Sequence, residues 1–316
     1  MLTYLAKRLA QSIPTLLGVS IVAFIIINMA PGDPVAQMLG SNATQAEIDD
    51  ARRLLGLDQP LIMQYFSWIG DVLQGDFGKS LYTSRPVLSE ILDRFPNTVI
   101  LALAAMVIAV VIGIPLGILA AVKPGTALDN IAMVVAVSGW SMPPFWIGLM
   151  LIIVFSVGLG WLPTGGMYDI MSFDNSFSDL LVHLILPAFT LGLRHMAYVA
   201  RFTRSSLLEV LNLDYIRTAR AKGISEPLVI TRHALRNALI PIISVLGVTI
   251  GHLLGGAVVV EAVFSWPGLG SLMVQGIGAR DYQLVQGCML FVSAIFIAVN
   301  LLVDVLYSVV DPRIKY

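Results

Sequence analysis

The chain has 316 residues, of which 57% are hydrophobic and 12% are charged, and its mean hydropathy is +0.84. Because about 25% of the residues in an ordinary soluble domain are charged, this composition excludes a water-soluble globule and indicates a chain surrounded by membrane lipid. The net charge of −1 gives no bulk attraction to nucleic acid, so no nucleic-acid partner is expected. The single cysteine, Cys288, excludes an internal disulfide and lacks the Cys/His spacing of a metal site, so we expect no bound metal.

Long apolar segments recur along the chain, and each is near the length of about 20 residues that a helix needs to cross a bilayer. They predict an all-α membrane protein with six transmembrane helices, at approximately 9–29, 97–122, 131–158, 183–202, 238–260 and 284–310. The first segment follows Lys7 and Arg8, as the core of a secretory signal would. It is longer than the about 7–15 apolar residues of such a core, and no small-residue cleavage site follows before Pro31. We interpret it as a retained anchor.

Lysine and arginine predict the orientation, because they are enriched in cytoplasmic loops. With the amino terminus inside, basic residues are about twice as frequent on the cytoplasmic side, and the outer loop 159–182 has none. We therefore expect a multi-pass protein of the cell inner membrane with both termini in the cytoplasm. The predicted organisation is a cytoplasmic N-terminus with the first helix (1–30), an extracytoplasmic cap segment (31–96), and a five-helix core (97–316) containing a basic cytoplasmic segment (203–237).

The cap segment is rich in turn signals such as Pro31-Gly32-Asp33-Pro34, and its stretch from Glu47 to Gln59 has helical periodicity. The run from Gly75 to Ser80 superficially resembles a nucleotide-binding P-loop. Leu73, however, occupies the position of the first glycine that this motif requires. Since the run also lies on the side of the membrane without ATP, we interpret it as structural.

The basic cytoplasmic segment is predicted to form a helix, a break and a second helix. Asp214 is a suitable N-cap for a short helix over 215–222, and Gly223 suits the left-handed residue after its end. Ser225 then caps the second helix, which continues into the fifth span. The small side chains Thr218, Ala219 and Ala221 favour close entry of the short helix into a partner's groove. The alternative is a solvated basic loop that follows the positive-inside rule, and these residues alone favour neither.

Glycines and prolines inside the spans predict packing and bending. The motifs Gly247-x-x-x-Gly251-x-x-x-Gly255 and Gly113-x-x-x-Gly117 place small residues on one helix face, which permits close approach of another helix. In the fifth span, the alternative role is a sliding contact during gating. The run from Ser141 to Phe145 contains two consecutive prolines that must bend or break the third span. We interpret it as a structural kink, with a pore-lining hinge as the alternative.

Polar side chains are costly in hydrocarbon and tend to face protein or water. In the predicted spans, the candidates for such a position are Arg194, His195, His252, Asn300 and Asp304. Arg194 shares a helical stripe with Tyr198, Arg201 and Ser205, so it either points into a water-filled path toward a substrate carboxylate or extends its stem toward the cytoplasm. For Asn300 and Asp304 we expect hydrogen bonds between helices. We expect His252 to pack, since one isolated histidine is a poor metal site.

Two runs in the basic cytoplasmic segment, Asp214 to Gly223 and Arg232 to Pro241, closely resemble the cytoplasmic signature of ABC-importer permeases of the dipeptide, oligopeptide and nickel family. The generic signature Glu-Ala-Ala-x-x-x-Gly is matched by Arg217, Thr218 and Ala219 with Gly223, with arginine replacing the acidic residue. Similar motifs follow in the family's order over essentially the whole chain. They are Pro31–Pro34, Leu55–Pro60, Gly75–Gly78, Arg85–Val87, Glu261–Gly270 and Asp311–Arg313.

The resemblance implies a type I ABC importer permease fold and a transport subunit that is not itself an enzyme. The implied partners are a second, similar permease, two cytoplasmic ATPases and an extracytoplasmic substrate-binding protein. The ATPases would bind ATP and magnesium, so no cofactor is expected in this chain. By the same resemblance, the short helix docks in an ATPase groove, and the coupling residues are Asp214, Arg217, Thr218, Ala219 and Gly223. Arg194 and Tyr198 are candidates for the translocation path.

Two other functional classes, an intramembrane enzyme and an ion-coupled secondary transporter, fit the sequence less well. An intramembrane enzyme needs a clustered nucleophile and base, whereas Cys288 has no histidine nearby in sequence. An ion-coupled secondary transporter usually has repeated halves and midplane acids, and the sequence has no evident repeat. Among importer substrates, bare nickel needs converging His, Cys or carboxylate ligands, and only His195 and His252 lie well inside the spans. We therefore favour short peptides, including glutathione-like ones, with nickel or a metal chelate as the alternative.

Overall fold

The computed structural model describes residues 2–29, 35, 39, 43–54, 56–169 and 176–310. Two motifs of the sequence analysis, Pro31–Pro34 and Asp311–Arg313, lie outside these residues. The helices are α1 (Leu2–Met29), α2 (Gln45–Leu54), α3 (Leu61–Leu73), α4 (Val87–Val122), α5 (Ala127–Ser141), α6 (Pro144–Leu151), α7 (Phe177–Leu211), α8 (Asp214–Ala221), α9 (Glu226–Leu228), α10 (Leu235–Val263), α11 (Leu269–Gly278) and α12 (Tyr282–Val310). Short π-helical turns, Ile152–Gly158 and Val229–Ala234, follow α6 and α9.

The apolar helices confirm the predicted all-α membrane fold. Within the described residues, five helices are long and apolar enough to cross a membrane, and a sixth span results if the bent pair α5 and α6 counts as one. These helices are longer than the apolar segments that predicted them, and two of them exceed those segments most. Helix α4 has 36 residues and α7 has 35, so both are long enough to extend beyond a hydrocarbon core of about 30 Å.

The two prolines break the helix in the predicted third span. Helix α5 ends at Ser141, Met142 and Pro143 adopt extended backbone conformations, and α6 begins at Pro144. The axes of the two helical parts differ by 107°. A proline lacks the N–H that continues a helix and disfavours helical geometry in the residue before it, so consecutive prolines produce a break. The predicted bend is therefore confirmed.

Helix α2 begins with a reciprocal cap. The backbone N–H and the hydroxyl of Thr44 each donate to the Glu47 carboxylate at 2.8 Å, and these bonds hold the pKa of Glu47 below its ordinary value. The helix ends at Leu54, before the predicted limit at Gln59. Gly56 follows with a φ of +67°, and this left-handed residue turns the chain out of the helix.

The chain divides into two compact units, of which the first comprises residues 1–97 and 267–298. Its core contains Val87, Ile91, Leu269, Leu284 and Cys288. The run that resembles a P-loop is hydrogen-bonded, within this unit, to residues at the beginning of α12. Ser80 Oγ donates to Asp281 Oδ2 at 2.5 Å, and the Lys79 N–H donates to Gln283 Oε1 at 2.9 Å. These bonds agree with the structural interpretation of that run.

The second unit comprises residues 98–266 and 299–316. In it, α4 and α7 approach closely at the two glycines of the Gly113-x-x-x-Gly117 motif. A Cβ added at Gly117 would lie 2.5 Å from the Ala200 carbonyl oxygen, and one at Gly113 would lie 2.8 Å from that of Met196. The predicted close approach is therefore confirmed at this motif. At Gly255, by contrast, no described heavy atom lies within 4 Å of an added Cβ, outside the glycine's chain neighbours and local helix backbone. The predicted packing contact is not made there within the described chain.

Candidate functional site

The predicted coupling segment contains the short helix α8, which begins one residue earlier than the sequence indicated. Leu213, in an extended conformation, occupies the N-cap position, so the prediction that Asp214 is the cap was wrong. Asp214 is instead the first helical residue, where its negative charge is favourable near the positive end of the helix dipole. Its carboxylate lies 3.4 Å from the Arg217 guanidinium, an exposed pair whose contribution to stability is small.

The end of α8 follows the prediction. Gly223 has a φ of +75°, in the left-handed region where glycine has no steric penalty. Its N–H donates to the Arg220 carbonyl at 2.9 Å, and the N–H of Ile224 donates to the Ala219 carbonyl at 3.4 Å. These bonds satisfy carbonyl groups at the end of the helix and direct the chain toward α9.

The two faces of α8 have different environments. Ile216 and Ala219, three residues apart on one face, are 0% and 7% exposed and belong to a core with Leu207, Val229 and Ala234. Of the three small side chains that favour entry of this helix into a partner's groove, Ala219 packs inside the permease fold, whereas Thr218 and Ala221 are exposed. The outer face presents exposed residues to solvent: Asp214, Arg217, Thr218, Ala221 and Lys222.

Hydrogen bonds and an ion pair hold α8 against the segment that leads into α10. Asn237 Nδ2 donates to the Tyr215 hydroxyl at 2.8 Å, and this hydroxyl donates to the His233 carbonyl at 3.3 Å. Arg220 Nε lies 2.8 Å from Glu226 Oε1. The sequence analysis missed these partners, which lie up to 22 residues apart. Together with the shared core, they fix α8 on its support.

A bidentate ion pair lies near the cytoplasmic segment. Arg204 on α7 contacts Asp129 on α5 through Nε and Nη2, both at 2.7 Å. The side chain of Asp129 is 4% exposed and that of Arg204 is 29% exposed. The carboxylate also accepts the Gly125 N–H at 2.9 Å. Because the geometry is bidentate and largely withdrawn from solvent, this pair fixes α5 against α7 more firmly than a surface pair would. Nothing in local spacing predicted it.

The candidate path residues lie beside an aromatic side chain that the sequence analysis did not single out. The Arg194 guanidinium carbon is 4.4 Å from the centre of the Trp140 ring, within the range of a cation–π contact. The rings of Trp140 and Tyr198 have centres 6.0 Å apart, and Arg201 lies 5.9 Å from the Tyr198 ring. Arg194 is exposed in the isolated chain. Among the described residues, no carboxylate lies within ion-pair distance of it.

These elements can be compared with known proteins. The family described as "Binding-protein-dependent transport system inner membrane component" matches residues 113–316, and its companion N-terminal family matches residues 1–102. The chain belongs to this family of permeases. It is a multi-pass inner-membrane transport subunit and not itself an enzyme. Because the system depends on a binding protein, the permease works with such a protein and with an ATPase.

Two curated relatives match this permease over its whole length. The glutathione transport system permease protein GsiC of Escherichia coli strain K12 is 48% identical over 316 residues, which cover 100% of both chains. The di/tripeptide transport system permease protein DppB of Pseudomonas aeruginosa strain UCBPP-PA14 is 46% identical over 334 aligned positions, which cover 100% of this chain and 99% of the relative. The predicted resemblance to peptide-type ABC permeases is confirmed.

Solved structures support the fold. An inward-facing form of the MetNI methionine ABC transporter matches with a TM-score of 0.57 at 18% identity, and covers 70% of this permease and 96% of the transporter chain. An amino acid ABC transporter matches with a TM-score of 0.52 at 16% identity, with coverages of 72% and 94%. The permease therefore has the ABC importer permease fold that was predicted.

Proposed function

We propose that this permease forms part of the translocation path of an ATP-driven importer for short peptides, including glutathione-like ones. The observation that carries the proposal is the full-length similarity to a glutathione permease and a di/tripeptide permease. In the proposed complex, a second, similar permease completes the path, two cytoplasmic ATPases bind ATP and magnesium, and an extracytoplasmic binding protein delivers the substrate. No matched relative described above points to nickel.

The arginine on α7 gives the path a chemical preference. Arg194 lies midway along Phe177–Leu211, where a cation exposed to lipid is costly unless it faces water or protein. A guanidinium binds carboxylates through parallel hydrogen bonds, and short peptides carry a terminal carboxylate. Trp140 and Tyr198 add an aromatic wall that contacts side chains of varied shape. This combination suits peptides of different sequence, which need no fixed set of ligands.

The outer face of α8 is proposed to dock in a groove of the ATPase. Asp214, Arg217 and Thr218 supply direct contacts, and Gly223 sets the direction of the chain after the helix. Ala219 supports this face from beneath. Docking of this kind converts nucleotide-driven closure of the ATPases into movement of the spans, because the two global states of the complex then differ in their contacts.

We propose that both termini lie in the cytoplasm, as the distribution of lysine and arginine predicts. A cysteine replacing Asn212 should be protected from an impermeant thiol reagent in intact cells, and one replacing Thr164 should be labelled, each in a Cys288→Ala background. Lysed cells provide the control, because both positions should then react. Labelling of Asn212→Cys alone in intact cells would show that the orientation is opposite to the proposed one.

Uptake by the reconstituted complex tests the substrate. With its partner subunits in vesicles, the permease should take up labelled di- and tripeptides only when ATP is supplied. Arg194→Gln should lower this uptake at least tenfold for peptides with a free carboxyl terminus, because one charge-assisted contact is lost, and much less for amidated peptides. Arg53→Gln, which replaces an exposed arginine on α2 outside the proposed path and the coupling segment, is the matched control. Uptake of nickel without any peptide would contradict the proposed substrate class. Equal peptide uptake by Arg194→Gln would contradict the proposed role of Arg194 in the translocation path.

A further inference from the structure

Helix α3, between the first and second spans, has three distinct faces. One face packs on α1, where the Tyr65 hydroxyl and Ser20 Oγ are 2.8 Å apart. On the same side, the rings of Tyr65 and Trp68 lie 5.5 Å and 5.9 Å from the ring of Phe24. These contacts fix the rotation of α3 about its axis, and thereby determine which residues its other two faces present.

The second face is apolar and uncovered. Ile62, Phe66, Ile69 and Leu73 recur at spacings of four, three and four residues, which places them on one side of a helix. Three of them are highly exposed, at 71% for Ile62, 65% for Phe66 and 83% for Leu73. A helix facing water on this side would expose a contiguous apolar stripe, which soluble surfaces rarely carry without a partner.

The third face is polar and lies opposite the apolar stripe. It carries Gln64, Ser67 and Asp71, and both Ser67 and Asp71 are exposed. The helix contains no lysine or arginine. An apolar side, a polar side and aromatic residues between them are the features of a helix that lies in the plane of a membrane surface.

The contacts with α1 also place α3 at a suitable depth. The apolar window of α1 runs from Arg8 to Ile26, and its contacts with α3 are at Ser20 and Phe24. At about 1.5 Å per residue, these positions lie about 9 Å and 3 Å inside the end of that window. Interfacial helices bury their apolar face about 5–10 Å below the headgroup boundary. Helix α3 therefore packs on a span whose apolar window is only 17% buried, at a depth that suits an interfacial helix.

We propose that α3 is an interfacial helix, with its Ile62–Leu73 stripe in the acyl chains of the leaflet nearest the Met29 end of α1. The occupant of the stripe is lipid rather than protein. Since the helix has no basic residue, apolar contact alone drives the insertion, and anionic headgroups are not required. This segment is therefore anchored in the membrane surface and is not a cap standing in water.

Spin labels on neighbouring positions of α3 test the proposal. The full permease, assembled with its partner subunits in nanodiscs of zwitterionic lipid, carries Phe66→Cys or Ser67→Cys in a Cys288→Ala background. The label at position 66 should be more accessible to oxygen, which concentrates in lipid, than to a water-soluble nickel chelate. The label at 67 should have the opposite preference, and the ratio of the two accessibilities should differ at least fivefold between the positions.

A second pair, Ile62→Cys and Asp71→Cys, repeats the comparison on the same two faces and keeps the test valid if one of the first variants does not assemble. Equal access of the nickel chelate to both members of a pair would overturn the proposal in favour of a solvated cap. Exclusion of both reagents from positions 62 and 66 would overturn it in favour of a protein partner. A fivefold or larger change in the ratio on adding anionic lipid would contradict the apolar mode of insertion.

Discussion

Replacing Gly223 by valine should uncouple this permease from its ATPases, because Gly223 holds α8 in place through its backbone conformation. The φ of +75° is open to glycine, whereas an L-residue there costs about 1–2 kcal/mol and a β-branched residue more. No described heavy atom lies within 4 Å of an added Cβ, outside the glycine's chain neighbours. A valine at this position could lose function through backbone strain or through a steric clash, and at Gly223 strain acts without a clash.

A strain of about 1–2 kcal/mol changes an equilibrium by a factor of about 5–30. This is enough to shift the end of α8 without unfolding a protein that is stable by about 5–15 kcal/mol. We expect Gly223→Val to insert into the membrane and assemble. Its rate of ATP hydrolysis stimulated by substrate and binding protein should be at least fivefold lower than that of the unchanged permease. Gly223→Ala should be intermediate. Gly223→Asn should be close to the unchanged permease, because asparagine tolerates this conformation.

The assay is stimulated ATP hydrolysis by the reconstituted complex, measured beside the amount of each variant that co-purifies with the ATPases. The graded order of the three variants is the essential result. Stimulated hydrolysis by Gly223→Val at the unchanged rate would refute the reasoning, and so would equal losses in Gly223→Asn and Gly223→Val, since backbone strain could not then be the cause.

Three further predictions concern the packing that supports α8 and α7. Ala219→Trp should overpack the core and lower the thermal midpoint of unfolding. Ala221→Trp, on the exposed face, should keep the midpoint but reduce co-purification of the ATPases. The opposite pattern would show that the buried and exposed faces are assigned the wrong way round. Gly117→Ala places a Cβ 2.5 Å from a carbonyl oxygen of α7 and should lower the free energy of unfolding by about 1–3 kcal/mol. At the control position, Gly18, an added Cβ has no described heavy atom within 4 Å outside the local backbone, so Gly18→Ala should cause no measurable loss of stability in the same thermal assay. Arg204→Met removes the arginine from a carboxylate that is 4% exposed and should lower the thermal midpoint. An unchanged midpoint would contradict the importance of that ion pair.

The features that the sequence predicted correctly depend on local backbone rules. Span positions follow from the length of apolar segments, because a bilayer sets the number of helical residues directly. The break after Ser141 follows from Pro143 and Pro144, which cannot continue a helix. The left-handed Gly223 follows from the favourable use of glycine after a helix end. Each of these inferences needs only a few neighbouring residues and no knowledge of the packing.

The features that were missed depend on contacts between distant segments. Asp129 and Arg204 are 75 residues apart, and local spacing gives no reason to pair them. Trp140 reaches Arg194 only because α5 packs beside α7. The inward direction of Ala219 was missed although a local signal was available. Ile216 is the large aliphatic residue of an otherwise mostly polar helix, and a residue three positions later shares its face.

Helix α7 connects the proposed path to the coupling helix as a single rod. Arg194 precedes Leu211, the last residue of α7, by 17 positions, or about 26 Å, and the intervening sequence contains no proline or glycine that would allow a hinge. Close packing at Gly113 and Gly117 holds the rod against α4, and Arg204 holds it against α5. If the ATPase docks on α8 as proposed, we expect a displacement of α8 to reach Arg194 as a tilt of packed helices rather than as bending within α7. For this reason, substitutions that loosen the packing should lower stimulated ATP hydrolysis and uptake together, whereas a change at Arg194 should lower uptake while stimulated hydrolysis continues.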